Sequence, residues 1–338
     1  LFTSGSTGPA KGVTYTHGIF SAQVDHIQEM YDIQPGEIDL ACFPLFGLFS
    51  MAMGMTVVIP DMDPTKPALA DPRKLIEAIQ TQGCTSAFGS PAIWKNVANL
   101  GLKESVHLPS MKRILMAGAP VPVWMHEAFQ EILPDGAELH TPYGATESLP
   151  VSSIASHEVL QDTQERTRKG GGSCVGQAAP GVDIRIIKIT DEPISDWRDA
   201  KEMPTGDIGE ICVRGKVVTR EYKGRPEQTA AAKIWQGDDP FHRMGDLGYF
   251  DDQKRLWFCG RKAHRVRLED GQEMYTVPCE AIFNAHPLVY RSALVGVAGN
   301  PVVVVELEPG VATEKEALTE ELLELGRAKD VATPKQPR

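Results

Sequence analysis

An α/β fold, with a large domain of parallel-rich sheets covered by helices and a β-rich part, followed by a smaller α+β C-terminal domain, is predicted by two features of the sequence. Between residues 55 and 133, short apolar runs alternate with amphipathic stretches, the pattern of strands crossing over through helices into a parallel sheet. After about residue 205 the helical periods give way to apolar runs joined by Asp-Asp and Asp-Gly, residues of tight antiparallel turns. At 338 residues, 42% of them hydrophobic, the chain is long enough for both pieces.

The elements follow in order. "MTVVIP" (55–60) reads as a strand, and "DPRKLIEAIQTQG" (71–83) as a helix, because Leu75, Ile76 and Ile79 recur at helical spacing and Gly83 stops it. "CTSAFG" and "RILMAG" (113–118) read as buried strands, and "VPVWMHEAFQEIL" (121–133) as an amphipathic helix. "IGEICVRG", "LGYFDDQKRLWFCG" and "VRLEDGQEMY" read as strands and hairpins, and the tail after Glu308 offers one acidic helix before Pro-punctuated polar residues. No apolar run reaches the roughly 18 residues of a bilayer span, so no integral membrane segment is expected. The 34 basic and 45 acidic residues give a net charge of −11, which argues against nucleic acid as a partner. Cys42, Cys84, Cys174, Cys212, Cys259 and Cys279 form no C-x-x-C pair, so neither a zinc site nor a disulfide framework is expected, and a cytoplasmic setting is.

Four stretches carry chemistry. In "TSGSTGPAKG", Thr3, Ser4, Gly5, Ser6, Thr7 and Gly8 can neither fill a core nor hold a helix. Glycines let backbone N–H groups turn onto a ligand, hydroxyls add donors and Lys11 adds a charge, so polyphosphate is the natural guest and a flexible linker the alternative. The run lacks the spacing of a Walker A loop, of a dinucleotide fingerprint and of a serine-hydrolase elbow. "TPYGATE" (141–147) offers an aromatic ring, a glycine, a hydroxyl and a carboxylate after the strand-like "AELH", suited to a base, a phosphate and Mg²⁺, or else a solvated turn. "HRMGDLGYF" (242–250) places Asp246 before a hairpin, either to grip ribose hydroxyls or to cap the turn. "FCGRKAHRV" (258–266) supplies Arg261 at a strand end, a surface cation or a phosphate contact.

The order and chemistry of these stretches resemble the adenylate-forming superfamily of acyl-CoA synthetases, peptide-synthetase adenylation domains and luciferases. The resemblance implies ATP and Mg²⁺ as cofactors, with Thr3 to Gly8 and Lys11 forming the loop over the β- and γ-phosphates. It also implies that Gly118, Ala119 and Pro120 of "MAGAPVP" lie against adenine, Tyr143 and Gly144 cover the base, Thr146 contacts the α-phosphate, and Glu147 carries the metal. Asp246 would hold the ribose and Arg261 would sit at the hinge, so that Lys11, Thr146 and Glu147 are the expected catalytic residues. Residues 1–259 would then be the remainder of the large adenylation domain and 260–338 the hinge and part of a mobile C-terminal domain. Because the chain opens directly on the phosphate loop, the fold is expected to be truncated.

The longer phrases "TPYGATESLPVSSI", "HRMGDLGYFDDQKRLWFCGRKAHRV" and "YTVPCEAIFNAHP" resemble the olefin-biosynthesis β-lactone synthetase branch. This implies a long-chain 2-alkyl-3-hydroxy fatty acid as substrate, closed to a lactone by its own hydroxyl, and other olefin-pathway enzymes as partners. A long-chain acyl-CoA ligase and a nucleotide- or acyl-binding member without turnover stay open. Against the wider superfamily, Gly47 stands where thioester-forming members often carry histidine, Ala263 replaces a charged hinge residue and Thr141 an asparagine. Lys335 lacks the setting of the C-terminal adenylation lysine. The Met- and Phe-rich run from Phe43 to Met55 reads as core, with an acyl tunnel as the functional alternative.

Overall fold

The structure, a computed structural model, describes residues 1–3, 9–311 and 314–328. Its frame is a sheet of twelve strands among the described residues, in two halves that meet at the candidate site. In the first half, β1 (Ile38–Ala41), β2 (Thr56–Val58), β3 (Ser86–Gly89), β4 (Arg113–Met116) and β5 (Glu138–Ala145) run parallel in the order β2-β1-β3-β4-β5. They are joined through α1 (His17–Tyr31), which enters β1, and through α2 (Gly47–Ala52), α3 (Pro72–Gln82), α4 (Pro91–Glu104) and α5 (Val123–Ile132).

The third of these helices shows why the local sequence folds as it does. The Asp71 carboxylate accepts from the Arg73 N–H at 3.0 Å, Pro72 opens the first turn, and Gly83 closes the last at φ +64°. Leu75, Ile76 and Ile79 point one stripe into a core whose centre is Trp94, edge-on to Phe129 at 5.9 Å.

The second half is antiparallel. From β5 the chain turns at Thr146–Glu147 into β6 (Ser148–Ala155), and β7 (Ser173–Ala178), β8 (Asp183–Ile187), β9 (Gly209–Arg214), β10 (Lys233–Gln236), β11 (Asp239–Phe250) and β12 (Leu256–Arg261) complete it in the order β6-β7-β12-β11-β9-β8, with β10 on β11. Two expectations shift here. Thr141 to Ala145 are not a turn after a strand but the end of β5 itself. Asp246 lies within β11 and caps no hairpin. The turn is held instead by Asp251, whose Oδ1 accepts from the Gln253 and Arg255 N–H groups at 2.9 Å each.

The remaining elements form a small α+β unit. Hairpin β13 (Val266–Arg267) and β14 (Glu273–Met274), a helix at Thr276–Asn284, hairpin β15 (Val289–Val297) and β16 (Asn300–Leu307), and a helix at Lys315–Ala328 gather around Val266, Met274, Cys279, Phe283 and Leu294. Among the described residues, no helix is long and apolar enough to cross a membrane.

Candidate active site

The opening loop is pinned at its root. Thr3 N donates to the Lys11 carbonyl and Lys11 N to Thr3 Oγ1, both at 3.0 Å, so the chain leaves and returns at one point. Ser4, Gly5, Ser6, Thr7 and Gly8 lie outside the described residues, as does Lys335. Lys11 Nζ stands 4.4 Å from the centre of the Tyr222 ring, and Tyr222 O–H donates to Glu147 Oε1 at 2.5 Å. The loop root is fixed to that tyrosine by the Val13–Tyr222 bridge and by the Lys223 N–H on the Gly12 carbonyl at 2.8 Å. Lys11 and Glu147, 136 positions apart in number, are thereby joined through one aromatic ring.

The β5–β6 turn is held from both sides. Tyr15 O–H donates to the Thr146 carbonyl at 2.7 Å, while Thr219 N and Oγ1 donate to the Glu147 carbonyl at 2.9 and 3.1 Å. The Thr219 carbonyl in turn accepts from Lys233 Nζ. Lys233 is almost wholly buried, and burial, partly opposed by the nearby Glu147 charge, lowers its pKa to about 7. Gly144 is required at the approach to this turn, because a Cβ there would meet Ser148 O and Leu149 Cβ at 2.9 Å.

At the other end of the cleft, Tyr143 O–H donates to Asp246 Oδ2 at 2.6 Å, and Arg261 Nη1 lies 2.8 Å from Oδ1. Asp246 reaches this place because β11 is irregular between Arg243 and Leu247, where Gly245 adopts φ +68°. Burial raises the Asp246 pKa to about 6, with Arg261 and Tyr143 pulling the other way. Oδ1 is buried and, beyond this ion pair, has no hydrogen-bond partner among the described residues. These side chains face a cavity of 420 Å³, on whose wall Gly118 (φ +98°), Ala119 and Pro120 lie exposed.

A second cavity of 390 Å³ opens beyond the same wall. Gly118, Pro142, Tyr143 and Gly144 border both spaces. The Met- and Phe-rich run divides here. Phe43, Phe46, Phe49, Met53 and Met55 line the second cavity, with Phe46 stacked on Phe88 at 4.3 Å, while Leu45, Leu48 and Met51 are exposed. One carboxyl interrupts this apolar lining: Asp39 accepts from Ser50 Oγ at 2.7 Å, and burial raises its pKa to about 6.

Among the described residues, no group of three or more His, Cys, Asp or Glu side chains gathers to hold a metal. Glu147, with one oxygen taken by Tyr222, offers the hard-oxygen chemistry that Mg²⁺ prefers. Sequence reasoning missed Tyr222, Lys233 and Asp39, because Lys233 and Asp39 sit in short apolar strand runs and Tyr222 in a charged loop, with no motif around any of them. The one available signal was a charged residue interrupting a strand pattern, as in "AAKIW" and "EIDLA".

Comparison with known proteins places this geometry in context. A family model described as "AMP-binding enzyme" matches residues 1–223. The chain is 46% identical over 332 residues to a protein of Xanthomonas campestris pv. campestris named olefin beta-lactone synthetase, covering 96% of this chain and 59% of that protein. A protein of the same name from Stenotrophomonas maltophilia is also 46% identical, covering 95% and 59%. Among solved structures, the amide bond synthetase McbA from Marinactinospora thermotolerans superposes with a TM-score of 0.78 at 25% identity, covering 98% of this chain and 63% of that one. The chain thus spans about 59% of the length of the curated relatives it matches.

Proposed function

The chain belongs to the AMP-binding enzyme family, and from that premise we propose that it activates a fatty carboxylic acid with ATP. The acid becomes an acyl-AMP, pyrophosphate leaves, and the substrate's own 3-hydroxyl then closes a β-lactone. The observation that carries this reading is the shared wall: Gly118, Pro142, Tyr143 and Gly144 separate a cleft lined in part by Asp246 and Arg261 from a more apolar cavity. An acyl chain in one and a nucleoside in the other would meet at the β5–β6 turn, where Thr146 and Glu147 sit. The likeness to the two proteins named olefin beta-lactone synthetase supports the lactone over a thioester product.

The chemistry follows from charge. The substrate carboxylate attacks the α-phosphorus of ATP, the bond to the β-phosphate oxygen breaks, and two anions must approach while charge builds on pyrophosphate. Lys11 would supply positive charge to the leaving group, held over Tyr222. A Mg²⁺ ion on Glu147, when bound with the nucleotide, would neutralise phosphate charge. Ionised Asp246 would accept the ribose hydroxyls, and Tyr143 would lie against the base. In the second step the 3-oxygen attacks the acyl carbon, its proton passes to solvent or a base, and AMP departs with one former carboxylate oxygen. A tethered hydroxyl gains effective molarities of roughly 10⁵–10⁸ M in well-oriented cases, which offsets part of the strain of a four-membered ring. We further propose that residues 1–259 act as the large domain and that the part from residue 260 onward moves about Arg261.

Incubation with ATP, Mg²⁺ and a 2-alkyl-3-hydroxy fatty acid, with and without coenzyme A, tests the reading by the product. A β-lactone with AMP and pyrophosphate, formed without coenzyme A, is the expected result. An acyl thioester formed only with coenzyme A would replace the lactone by ligase chemistry, and nucleotide binding without AMP formation would replace catalysis by binding.

A further inference from the structure

The cleft assigned to the nucleoside has a histidine in its wall that the reading above does not use. His126 stands on α5 at 2% exposure, yet its ring borders the 420 Å³ cavity together with Gly118, Thr141 and Tyr143. Its Nδ1 lies 2.8 Å from Ser156 Oγ, and that hydroxyl donates to the Leu139 carbonyl at 3.2 Å. A serine hydroxyl has one proton to give. With that proton on the Leu139 carbonyl, Nδ1 carries the ring proton and donates to Ser156, which leaves Nε2 a bare lone pair.

Two further facts bear on that lone pair. Burial lowers the His126 pKa to about 4, so the ring is neutral and Nε2 stays an acceptor at physiological pH. Among the described residues, no donor bonds Nε2, and His126 belongs to the lining of the cavity. The neighbouring Thr141 hydroxyl makes only a long contact, 3.5 Å to the Ile154 carbonyl. An acceptor on a cavity wall is costly to cover unless the ligand supplies a donor.

We infer that His126 determines base specificity: its Nε2 accepts a hydrogen bond from the exocyclic amine of adenine and opposes a base that carries a carbonyl there. A 6-oxopurine would set two acceptors face to face, and a purine lacking the substituent would leave Nε2 unpaired. The inference rests on the cleft taking ATP, and it adds which group on the base is read and by what.

The test is equilibrium binding of ATP, purine riboside triphosphate and inosine triphosphate to the wild-type protein and to His126→Leu and Ser156→Ala. The wild type is expected to prefer ATP over purine riboside triphosphate by about 10–100-fold, the range for leaving one buried acceptor unpaired. That ratio should fall towards one in His126→Leu and be partly kept in His126→Gln, whose amide oxygen also accepts. Ser156→Ala frees the ring to protonate Nε2, so it should gain on inosine triphosphate relative to ATP, and it carries the test if the leucine variant does not fold. ATP binding with ratios unchanged in both variants overturns the role of His126 alone. Failure of every nucleotide to bind overturns the activation reading and this inference with it.

Discussion

The two halves of the main sheet are stabilised differently. The parallel half closes on aliphatic and aromatic side chains, with Trp94 and Phe129 at its centre, and its principal buried ion pair, Arg113 on Glu37 at 2.6 Å, sits at the rim. There, burial would raise the Glu37 carboxyl, but Arg113, the Gln34 N–H and Thr85 bring it down to about 2. The antiparallel half buries charge throughout: Arg243 on Glu210 at 2.6 Å with Lys262 beside it, Arg255 on Asp251, Arg261 on Asp246, and Lys233 behind Glu147. The difference teaches where each half contributes. Apolar packing supplies the fold's free energy, while paired charges, which add little net stability, fix the direction of carboxylates at the seam.

Separate failures of stability and of site would sharpen this contrast. The largest effect is expected from Trp94→Ala, which should cost about 3–5 kcal/mol in denaturant unfolding while the folded fraction binds nucleotide as before. A loss of nucleotide affinity in that fraction would join the two halves functionally and break the comparison. Next comes Glu147→Gln, which keeps an acceptor for Tyr222. It should lower pyrophosphate release by about 10²–10³-fold with little change in melting temperature.

A smaller effect is expected at Asp246. Ribose hydroxyls need the ionised carboxylate, whose pKa is raised to about 6, so nucleotide affinity should fall as pH drops through 6. Asp246→Asn should weaken binding about 10–100-fold at pH 8 and remove that pH step, as seen by titration calorimetry across pH 5–8. The smallest effect is on stability at Lys233. With its pKa lowered to about 7, the unfolded chain binds more protons between pH 7 and the ordinary lysine range, so stability rises with pH there. Lys233→Met should therefore raise the melting temperature by about 2–4 °C at pH 6, with the gain shrinking as pH approaches 10. A destabilised variant at pH 6 would mean that the bond to Thr219 outweighs the buried charge.

Much of the parallel half was legible in the sequence. Its helices carry their own signals, as with Asp71, Pro72 and Gly83 around one apolar stripe, and its strands are short apolar runs. The antiparallel hairpins were legible from their turns. Less legible was how residues far apart in number converge. Nothing in "REYKGRPEQT" says that Tyr222 will bond Glu147 beneath Lys11, because that contact depends on the loop root bridging to Val13. Asp246 in "HRMGDLGYF" reads as a residue before a hairpin, able to cap its turn. Tertiary pairing instead drew it into β11, and the local glycine became a bulge that aims the carboxylate. His126 was hidden inside an amphipathic helix whose period accounts for every other buried residue.

The central claim is that a carboxylate oxygen of the substrate becomes bonded to the α-phosphorus at the seam between the two halves. Turnover of a 2-alkyl-3-hydroxy acid labelled with ¹⁸O in its carboxyl group, followed by mass analysis of AMP, tests it most directly. The account predicts that each AMP released carries one ¹⁸O from the labelled acid. AMP formed without the label would mean that water, not the acid, attacks ATP, and would contradict it.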